Sequence, residues 1–308
     1  MQIRRFWRLL GDVLLLAFLA AIAGCSHGTR APAQLLYVAV PETAEVAVYP
    51  LSATGTQRPT AVIRETPPDK PVDVSVDGAS KVFVANENGN VRAYAKHDNE
   101  YVLVRTVAGP HTRIRHPVGI AVDLAGSFYL ADRGSGTGKG RLEWFAGGLN
   151  GNIEPGRVIS GPHTGITAPG GVAMDASGRV FITDEASNKV LVFDADASGD
   201  AVPVAVIAGL HSPERVFVDS VLNVYVTNKG DGISMFTASG PESWAFSTRI
   251  GSAAMHDPNG ISGDEIGRVA VGQRGGILFF APNAHGNSEP IAELNGPTAM
   301  NPAGICIH

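Results

Sequence analysis

The feature that most constrains the fold is a repeat of about 45 residues that runs through most of this 308-residue chain. Its most regular element is a seven-residue segment that begins with proline and ends with aspartate in five copies and with histidine in the last. The copies are PVDVSVD (71–77), PVGIAVD (117–123), PGGVAMD (169–175), PERVFVD (213–219), PNGISGD (258–264) and PAGICIH (302–308). A repeat of this length predicts an array of similar supersecondary units.

Each copy continues with three more short apolar runs. After residue 175 these are RVFITD, VLVFDA and PVAVIAG. Runs rich in valine, isoleucine and aromatic residues, bounded by turn-forming residues, are typical of β-strands, and no window has a sustained helical period. Four strands in about 45 residues match one blade of a β-propeller. The content of 37 glycines and 20 prolines agrees with a turn-rich all-β domain.

The two ends of the repeat region complement each other. Residues 35–65 contain runs like the second, third and fourth strands of a copy, whereas residues 302–308 resemble a first strand with nothing after it. The sequence therefore predicts an all-β, six-bladed β-propeller over residues 35–308, closed by pairing of the C-terminal strand with the N-terminal strands. The aspartate that ends five of the seven-residue segments is predicted to accept backbone N–H groups in a tight turn.

Residues 1–24 have the pattern of an export signal. Three arginines lie among the first eight residues, an apolar stretch follows, and the sequence IAGC (22–25) resembles the lipobox of bacterial lipoproteins. That resemblance implies cleavage before Cys25, acylation of this cysteine with chains such as palmitate, and a tether over residues 25–34. Acyl chains of this kind hold a protein at a membrane. We expect a location in the bacterial cell envelope, at the outer membrane in a Gram-negative cell, because Ser26 and not aspartate follows. The alternative is an ordinary signal peptide with an incidental cysteine.

Charge and cysteine content narrow the choice of partners. The net charge of −5 argues against a nucleic-acid partner. Cys25 and Cys306 are the two cysteines, so lipidation would leave Cys306 without a disulfide partner, as a packed thiol. We expect a monomer that contacts the membrane through its lipid anchor and binds an envelope protein or a small ligand.

The repeat also resembles a known family. PGGVAMDASGRVFITDEASNKVLVFD (169–194) is similar to an NHL-type repeat, and a Gly-x-x-x-Pro motif precedes the fourth strand of four copies, at Gly55, Gly151, Gly199 and Gly286. The resemblance extends over residues 35–308 and implies a six-bladed propeller of the bacterial secreted NHL type. It implies little about function, which depends on the residues of individual sites.

Candidate binding residues follow from propeller geometry. Loops into the first strands and the ends of the second strands should share one face around the axis. The polar residues expected there include His111, His163, His211, His256, Asp132 and Asp184. Imidazole is a common metal ligand, but a rotation of roughly 60° between blades of a six-fold ring keeps most of these histidines apart. We interpret this face as a ligand-binding face.

Two further residues raise an enzymatic alternative. Glu214 and Asn259 occupy the second position of adjacent first strands, which we expect to point nearest the axis. The gluconolactonase family, and more distantly the paraoxonases, resemble this arrangement and imply calcium held by acidic and amide side chains around the axis. The other four second positions supply no ligand. The preferred hypothesis is a binding or scaffold module without evident catalysis and without a cofactor, and the alternative is a divergent calcium-dependent lactonase or hydrolase.

A second candidate for calcium lies in one loop. Asp194, Asp196 and Ser198 have the spacing of a calcium-binding loop, but Ala205 stands where a bidentate glutamate would complete the oxygen shell. The segment is predicted to be a solvated turn, with a weak calcium site as the alternative.

Overall fold

The computed structural model describes residues 34–134 and 140–308. The predicted signal segment, Cys25 and most of the predicted tether lie outside these residues. The described chain forms six antiparallel sheets of four strands each, in the order predicted for a six-bladed β-propeller. The fold prediction is confirmed.

The strands are short and follow one another regularly along the chain. They are β1 (Leu35–Val40), β2 (Glu45–Pro50), β3 (Ala61–Arg64), β4 (Pro71–Val76), β5 (Val82–Asn86), β6 (Asn90–His97), β7 (Glu100–Ala108), β8 (Pro117–Val122), β9 (Phe128–Asp132), β10 (Arg141–Phe145), β11 (Arg157–Ile159), β12 (Pro169–Met174), β13 (Val180–Asp184), β14 (Lys189–Phe193), β15 (Ala205–Ile207), β16 (Pro213–Val218), β17 (Val224–Asn228), β18 (Gly232–Gly240), β19 (Ser243–Ile250), β20 (Gly260–Gly263), β21 (Val269–Gln273), β22 (Gly276–Phe280), β23 (Ala292–Leu294) and β24 (Gly304–Ile307). Two single-turn 3₁₀ helices, Pro110–Thr112 and Pro297–Ala299, lie in connections.

The blades are numbered in chain order. Blade 1 has the strand order β24-β1-β2-β3, and blades 2 to 6 each use four consecutive strands. The first strands of the repeat (β4, β8, β12, β16, β20 and β24) contact one another in a ring, and β24 contacts β4. These six are therefore the inner strands around the axis, and we number their positions from the proline that begins each seven-residue segment.

The C-terminal strand closes the ring as predicted. Strand β24 pairs antiparallel with β1, from Leu36 opposite Ile307 to Ala39 opposite Gly304. Backbone bonds extend the ladder, since Leu35 N donates to His308 O (2.7 Å) and His308 N donates to Leu35 O (2.9 Å). The last strand thereby gains a partner, and the edges of an open ring are avoided.

The recurring aspartates form the predicted turns. Asp123 Oδ1 accepts the backbone N–H groups of Ala125 and Ser127, each at 2.9 Å. The aspartates of blades 2, 4, 5 and 6 make the same pair of bonds to the residues two and four positions ahead. We call the surface formed by these turns the turn face and the opposite surface the loop face.

Apolar side chains pack between neighbouring blades. Each pair of adjacent blades encloses one hydrophobic cluster, and the six clusters involve residues from Leu35 to Ile307. Between blades 2 and 3, for example, Phe83 packs against Phe128 with ring centroids 6.0 Å apart. Residues 34–308 form one compact unit that contains all six clusters, so this segment carries the core needed to fold on its own.

The Gly-x-x-x-Pro motif links blades at their outer edges. Gly199 of blade 4 lies in a left-handed conformation (φ +66°) and bridges to β11 of blade 3. Its N–H donates to Val158 O (2.7 Å), and its carbonyl accepts from Ser160 N (2.9 Å). The glycines of the other three motifs form the same kind of bridge, so the motif is structural.

No helix within residues 34–134 and 140–308 is long and apolar enough to span a membrane.

Candidate functional site

The four candidate histidines lie on exposed loops of the loop face, and each is hydrogen-bonded to a residue of another segment. His163 Nδ1 lies 2.6 Å from Asp200 Oδ2, and His211 Nδ1 lies 2.9 Å from Asp231 Oδ2. His111 and His256 are anchored through their backbone N–H groups, which donate to the side-chain amide oxygens of Asn152 and Gln273. Among the described residues, no three or more histidine, cysteine, aspartate or glutamate side chains converge on a metal position.

Asp132 and Asp184 hold the loops that enter the inner strands. Both side chains are fully buried. The carboxylate of Asp132 accepts the backbone N–H groups of Arg115 (2.7 Å) and His116 (3.0 Å), and that of Asp184 accepts Thr167 N (2.7 Å). Their oxygens therefore satisfy loop backbone groups that would otherwise lack partners.

The side chains of Glu214 and Asn259 share no contact partner. Glu214 Oε1 lies 3.3 Å from Lys229 Nζ, a partly exposed ion pair. Asn259 Oδ1 is buried without a hydrogen-bond partner in the described chain, whereas its backbone N–H donates to Gly272 O. One free amide oxygen falls well short of the six to eight oxygen ligands that calcium takes.

The predicted turn at residues 194–198 is exposed. Asp194, Asp196 and Ser198 all face solvent, and the turn is closed by a backbone bond from Ala197 N to Asp194 O (3.1 Å). This agrees with a solvated turn.

Sequence reasoning missed an axial cavity of about 210 Å³. It is lined from the third position of the inner strands toward the turn face, and not by the second position. Four of the six third positions are glycine, and the other two are Asp73 and Arg215. A Cβ added to Gly171 would lie 2.8 Å from Arg215 Cα, and one added to Gly304 would lie 2.9 Å from Asp73 Cα. The glycines therefore let the inner strands approach, and the two charged exceptions were the available signal of a site.

Arg215 crosses the channel. Its Nη2 donates to Val72 O (3.1 Å) in blade 2 and to Ala303 O (2.9 Å), directly before the inner strand of blade 1. Asp73 is buried, and its carboxylate accepts Val74 N and Ile120 N, each at 3.0 Å. Burial raises the pKa of Asp73, and the positive charge of Arg215 opposes that rise.

A second, larger cavity of about 700 Å³ lies at the turn face between blades 3 and 4. We call it the interblade groove. Its walls include Leu124, Tyr129, Trp144, Arg157 and Met174. The guanidinium of Arg157 lies over the Trp144 ring, 4.2 Å from its centroid. Arg157 Nη1 donates to Ala195 O, and within the described chain no carboxylate lies within 4.0 Å of this guanidinium, so its charge has no direct ion-pair partner.

The equivalent spaces at the neighbouring blade interfaces are more fully occupied by side chains. Between blades 2 and 3, Arg105 is buried and donates to Gly126 O and Ala146 O, each at 3.0 Å, which leaves about 240 Å³. Between blades 4 and 5, Trp244 packs edge-on against Phe181 and donates its indole N–H to a backbone carbonyl. The open groove is therefore a local departure from the repeat.

Comparisons with known proteins support the fold alone. No family model matches the chain, and no curated protein matches it. A protein of unknown function from Bacteroides caccae has a similar crystal structure, with a TM-score of 0.64 and 11% identity over 89% of this chain and 98% of that one. A functionally unknown protein from Desulfotomaculum acetoxidans has a TM-score of 0.60 and 12% identity over the same shares of the two chains.

Proposed function

We propose that the protein is a binding module of the bacterial cell envelope that takes a small ligand into the interblade groove. The observation that carries this proposal is the size of the groove: its counterpart beside Arg105 measures about 240 Å³, and Trp244 occupies its counterpart between blades 4 and 5. Its volume of about 700 Å³ lies within the ~300–1,000 Å³ of small-molecule sites.

The walls of the groove define the class of ligand. Trp144, Met174 and Leu124 offer apolar surface, and Arg157 offers a positive charge without a carboxylate partner in the described chain. The indole N–H of Trp144 donates to none of the described residues, unlike that of Trp244. A ligand with an aromatic or aliphatic body and one anionic group would bury its body on the indole and pair its charge with the guanidinium.

Membership of the bacterial secreted NHL propellers and lipid anchoring at Cys25 are part of the proposal. Both rest on the sequence: the repeat of residues 169–194 and the lipobox-like residues 22–25. An anchor of this kind keeps a binding module at the membrane surface. Labelling of growing cells with palmitate should mark the wild-type protein and leave Cys25→Ala unmarked.

A calcium-dependent lactonase remains the second candidate because Asn259 Oδ1 is buried without a partner. The ion pair between Glu214 and Lys229 weighs against it. Metal analysis of the purified protein tests this candidate. Stoichiometric calcium that Asn259→Ala removes would support it, and its absence would exclude it.

The groove is tested with 8-anilinonaphthalene-1-sulfonate, an aromatic anion whose fluorescence rises on burial. Residues 26–308, without the acylation site, should bind it saturably at a stoichiometry of one. Ala176 is exposed at the rim of the groove, so Ala176→Trp should fill the groove and weaken binding at least tenfold. Arg157→Gln should weaken binding less, because the apolar wall remains.

The matched control is Ser220→Trp, which places the same side chain at the equivalent turn position of blade 5. It should bind the dye as the wild type does. Equal binding by Ala176→Trp and the wild type, in proteins with unchanged melting temperature, would refute the groove as the site.

A further inference from the structure

The axial cavity is a second site, and it shares only Val122 and Met174 with the lining of the interblade groove. Arg215 limits it toward the loop face, through its bonds to the carbonyls of Val72 and Ala303 at the second position of their strands. From there the cavity extends along the inner strands toward the turn face. Small residues at the fifth position, among them Ser75, Ala173 and Ser262, leave the space open.

Several N–H donors of Arg215 have no acceptor among the described residues. A guanidinium carries five N–H donors, and the two bonds to Val72 O and Ala303 O use only Nη2. Nε is buried without a partner, and Nη1 donates to none of the described residues. No carboxylate oxygen of the described chain lies within 4.0 Å of this guanidinium. The charge of Asp73 acts on Arg215 without a direct ion pair, so the free N–H donors of this largely enclosed guanidinium still lack acceptors, and an anion is the ligand that would satisfy them.

Two hydroxyl groups add neutral donors. Ser75 Oγ accepts Val122 N at 3.2 Å, and Ser262 Oγ accepts Ile307 N at 3.0 Å. In both bonds the serine is the acceptor, so each hydroxyl hydrogen remains free to donate. No acceptor for either hydrogen lies among the hydrogen bonds of the described chain. The cavity therefore combines one cationic donor and two neutral donors from blades 2, 5 and 6.

The remaining walls restrict the anion. Asp73 lines the same cavity, and its negative charge disfavours a dianion. The other lining residues include Val172, Ile261 and Ile305, which suit a short hydrocarbon body. A volume of about 210 Å³ lies below the usual range for drug-sized ligands. We infer that the axial cavity binds a small monocarboxylate, whose oxygens accept from Arg215, Ser75 and Ser262.

Acetate is the probe for this site. Unfolding of residues 26–308 is followed by calorimetry as sodium acetate replaces sodium chloride at constant ionic strength. A ligand that binds the folded state raises the melting temperature with its concentration. We expect a saturable rise with acetate, and a weaker response to sulfate because that ion carries two charges.

Three variants assign the effect to the cavity. Arg215→Met should weaken acetate binding at least tenfold. Because this variant also loses two interblade bonds, Ala173→Phe provides a second test that keeps Arg215 and fills the cavity from the fifth position, where Phe217 already stands in blade 5. Ser262→Ala should weaken binding a few fold. Ala176→Trp, in the interblade groove, should leave acetate binding unchanged.

The acetate measurements either support or refute the axial site. Saturable acetate binding that both Arg215→Met and Ala173→Phe weaken at least tenfold supports the axial site, whatever the dye experiment shows for the groove. The proposal fails if acetate and chloride stabilise the wild type equally, or if folded Ala173→Phe responds to acetate like the wild type. Sulfate binding as tight as acetate binding would overturn the assignment to monocarboxylates.

Discussion

Arg215 Nη2 in blade 5 donates to the carbonyl oxygen of Ala303, directly before the closing strand, at a distance of 2.9 Å. The same nitrogen donates to Val72 O in blade 2, so one side chain connects three blades across the axis. Strand β24 is thus held from two directions, by its ladder with β1 and by this bond. Arg215 therefore both lines the axial cavity and helps to hold the closing strand.

Removal of residues 302–308 should abolish cooperative unfolding. The deletion exposes the edge of β1 and opens the ring, and it removes one of the two acceptors of Arg215. Calorimetry and hydrogen exchange on residues 26–301 would show a broad transition and loss of protection throughout the blades. His308→Ala keeps the strand and removes only an exposed ring near Ser80, so it should melt close to the wild type. A truncated protein with an unchanged transition would contradict closure by β24.

Gly171→Ala should destabilise the propeller by about 1–3 kcal/mol, the usual cost of overpacking. The added Cβ would lie 2.8 Å from Arg215 Cα, in the backbone of the next blade. Gly251→Ala is the matched control, because the nearest atom to its new Cβ is Asn287 Oδ1 at 3.6 Å. Urea unfolding should place the control within about 0.5 kcal/mol of the wild type. Equal effects of the two substitutions would show that the inner strands tolerate separation.

Glu143→Gln should become more stabilising as pH rises. Burial raises the pKa of Glu143 from 4.5 to about 7, nearby Asp132 adds to the rise, and Arg141 opposes it. The unfolded chain loses this proton near its ordinary pKa, so between about pH 4.5 and 7 the folded state binds more protons and its stability falls with rising pH. Glutamine removes this loss, which is at most about 3 kcal/mol for such a pKa difference.

The measurement is the free energy of unfolding of both proteins at pH 4, 6 and 8. The stability of the variant relative to the wild type should increase over this range. Glu154→Gln, which changes an exposed carboxylate of the same blade, serves as the control and should show no such trend. A constant difference for Glu143→Gln would mean that this carboxylate ionises alike in both states.

The fold was predictable because its determinants repeat in the sequence. The seven-residue segment that begins with proline recurs in every blade and ends with aspartate in five of them, so even the partner of residues 302–308 could be inferred. The role of Asp123 and its equivalents in turns was likewise accessible, because the last copy needs no turn and has His308 instead.

The candidate sites were less predictable because they depend on contacts between blades. Asp132 occupies a position that also suits a metal ligand, and only its bonds to Arg115 and His116 show that it serves the loop. Arg215 was visible as a departure from glycine, but the sequence could not show that its side chain reaches blades 1 and 2. Arg157 lies over the Trp144 ring and Arg105 over the Phe83 ring, and only the structure shows that about 700 Å³ remains beside the first and about 240 Å³ beside the second.

The turn aspartates should differ in their tolerance of asparagine. Asp123 uses Oδ1 for both backbone bonds, and an amide oxygen can accept both. Asp123→Asn should therefore stay within about 0.5 kcal/mol of the wild type, whereas Asp123→Ala should lose about 1–2 kcal/mol. Asp264 makes the same backbone bonds, but its Oδ2 also lies 2.5 Å from Arg268 Nε, and its side chain is fully buried. Asp264→Asn should cost more than Asp123→Asn in urea unfolding, because a partly buried guanidinium loses its partner. If Asp123→Asn loses as much stability as Asp123→Ala, the negative charge and not the acceptance of backbone N–H groups stabilises this turn.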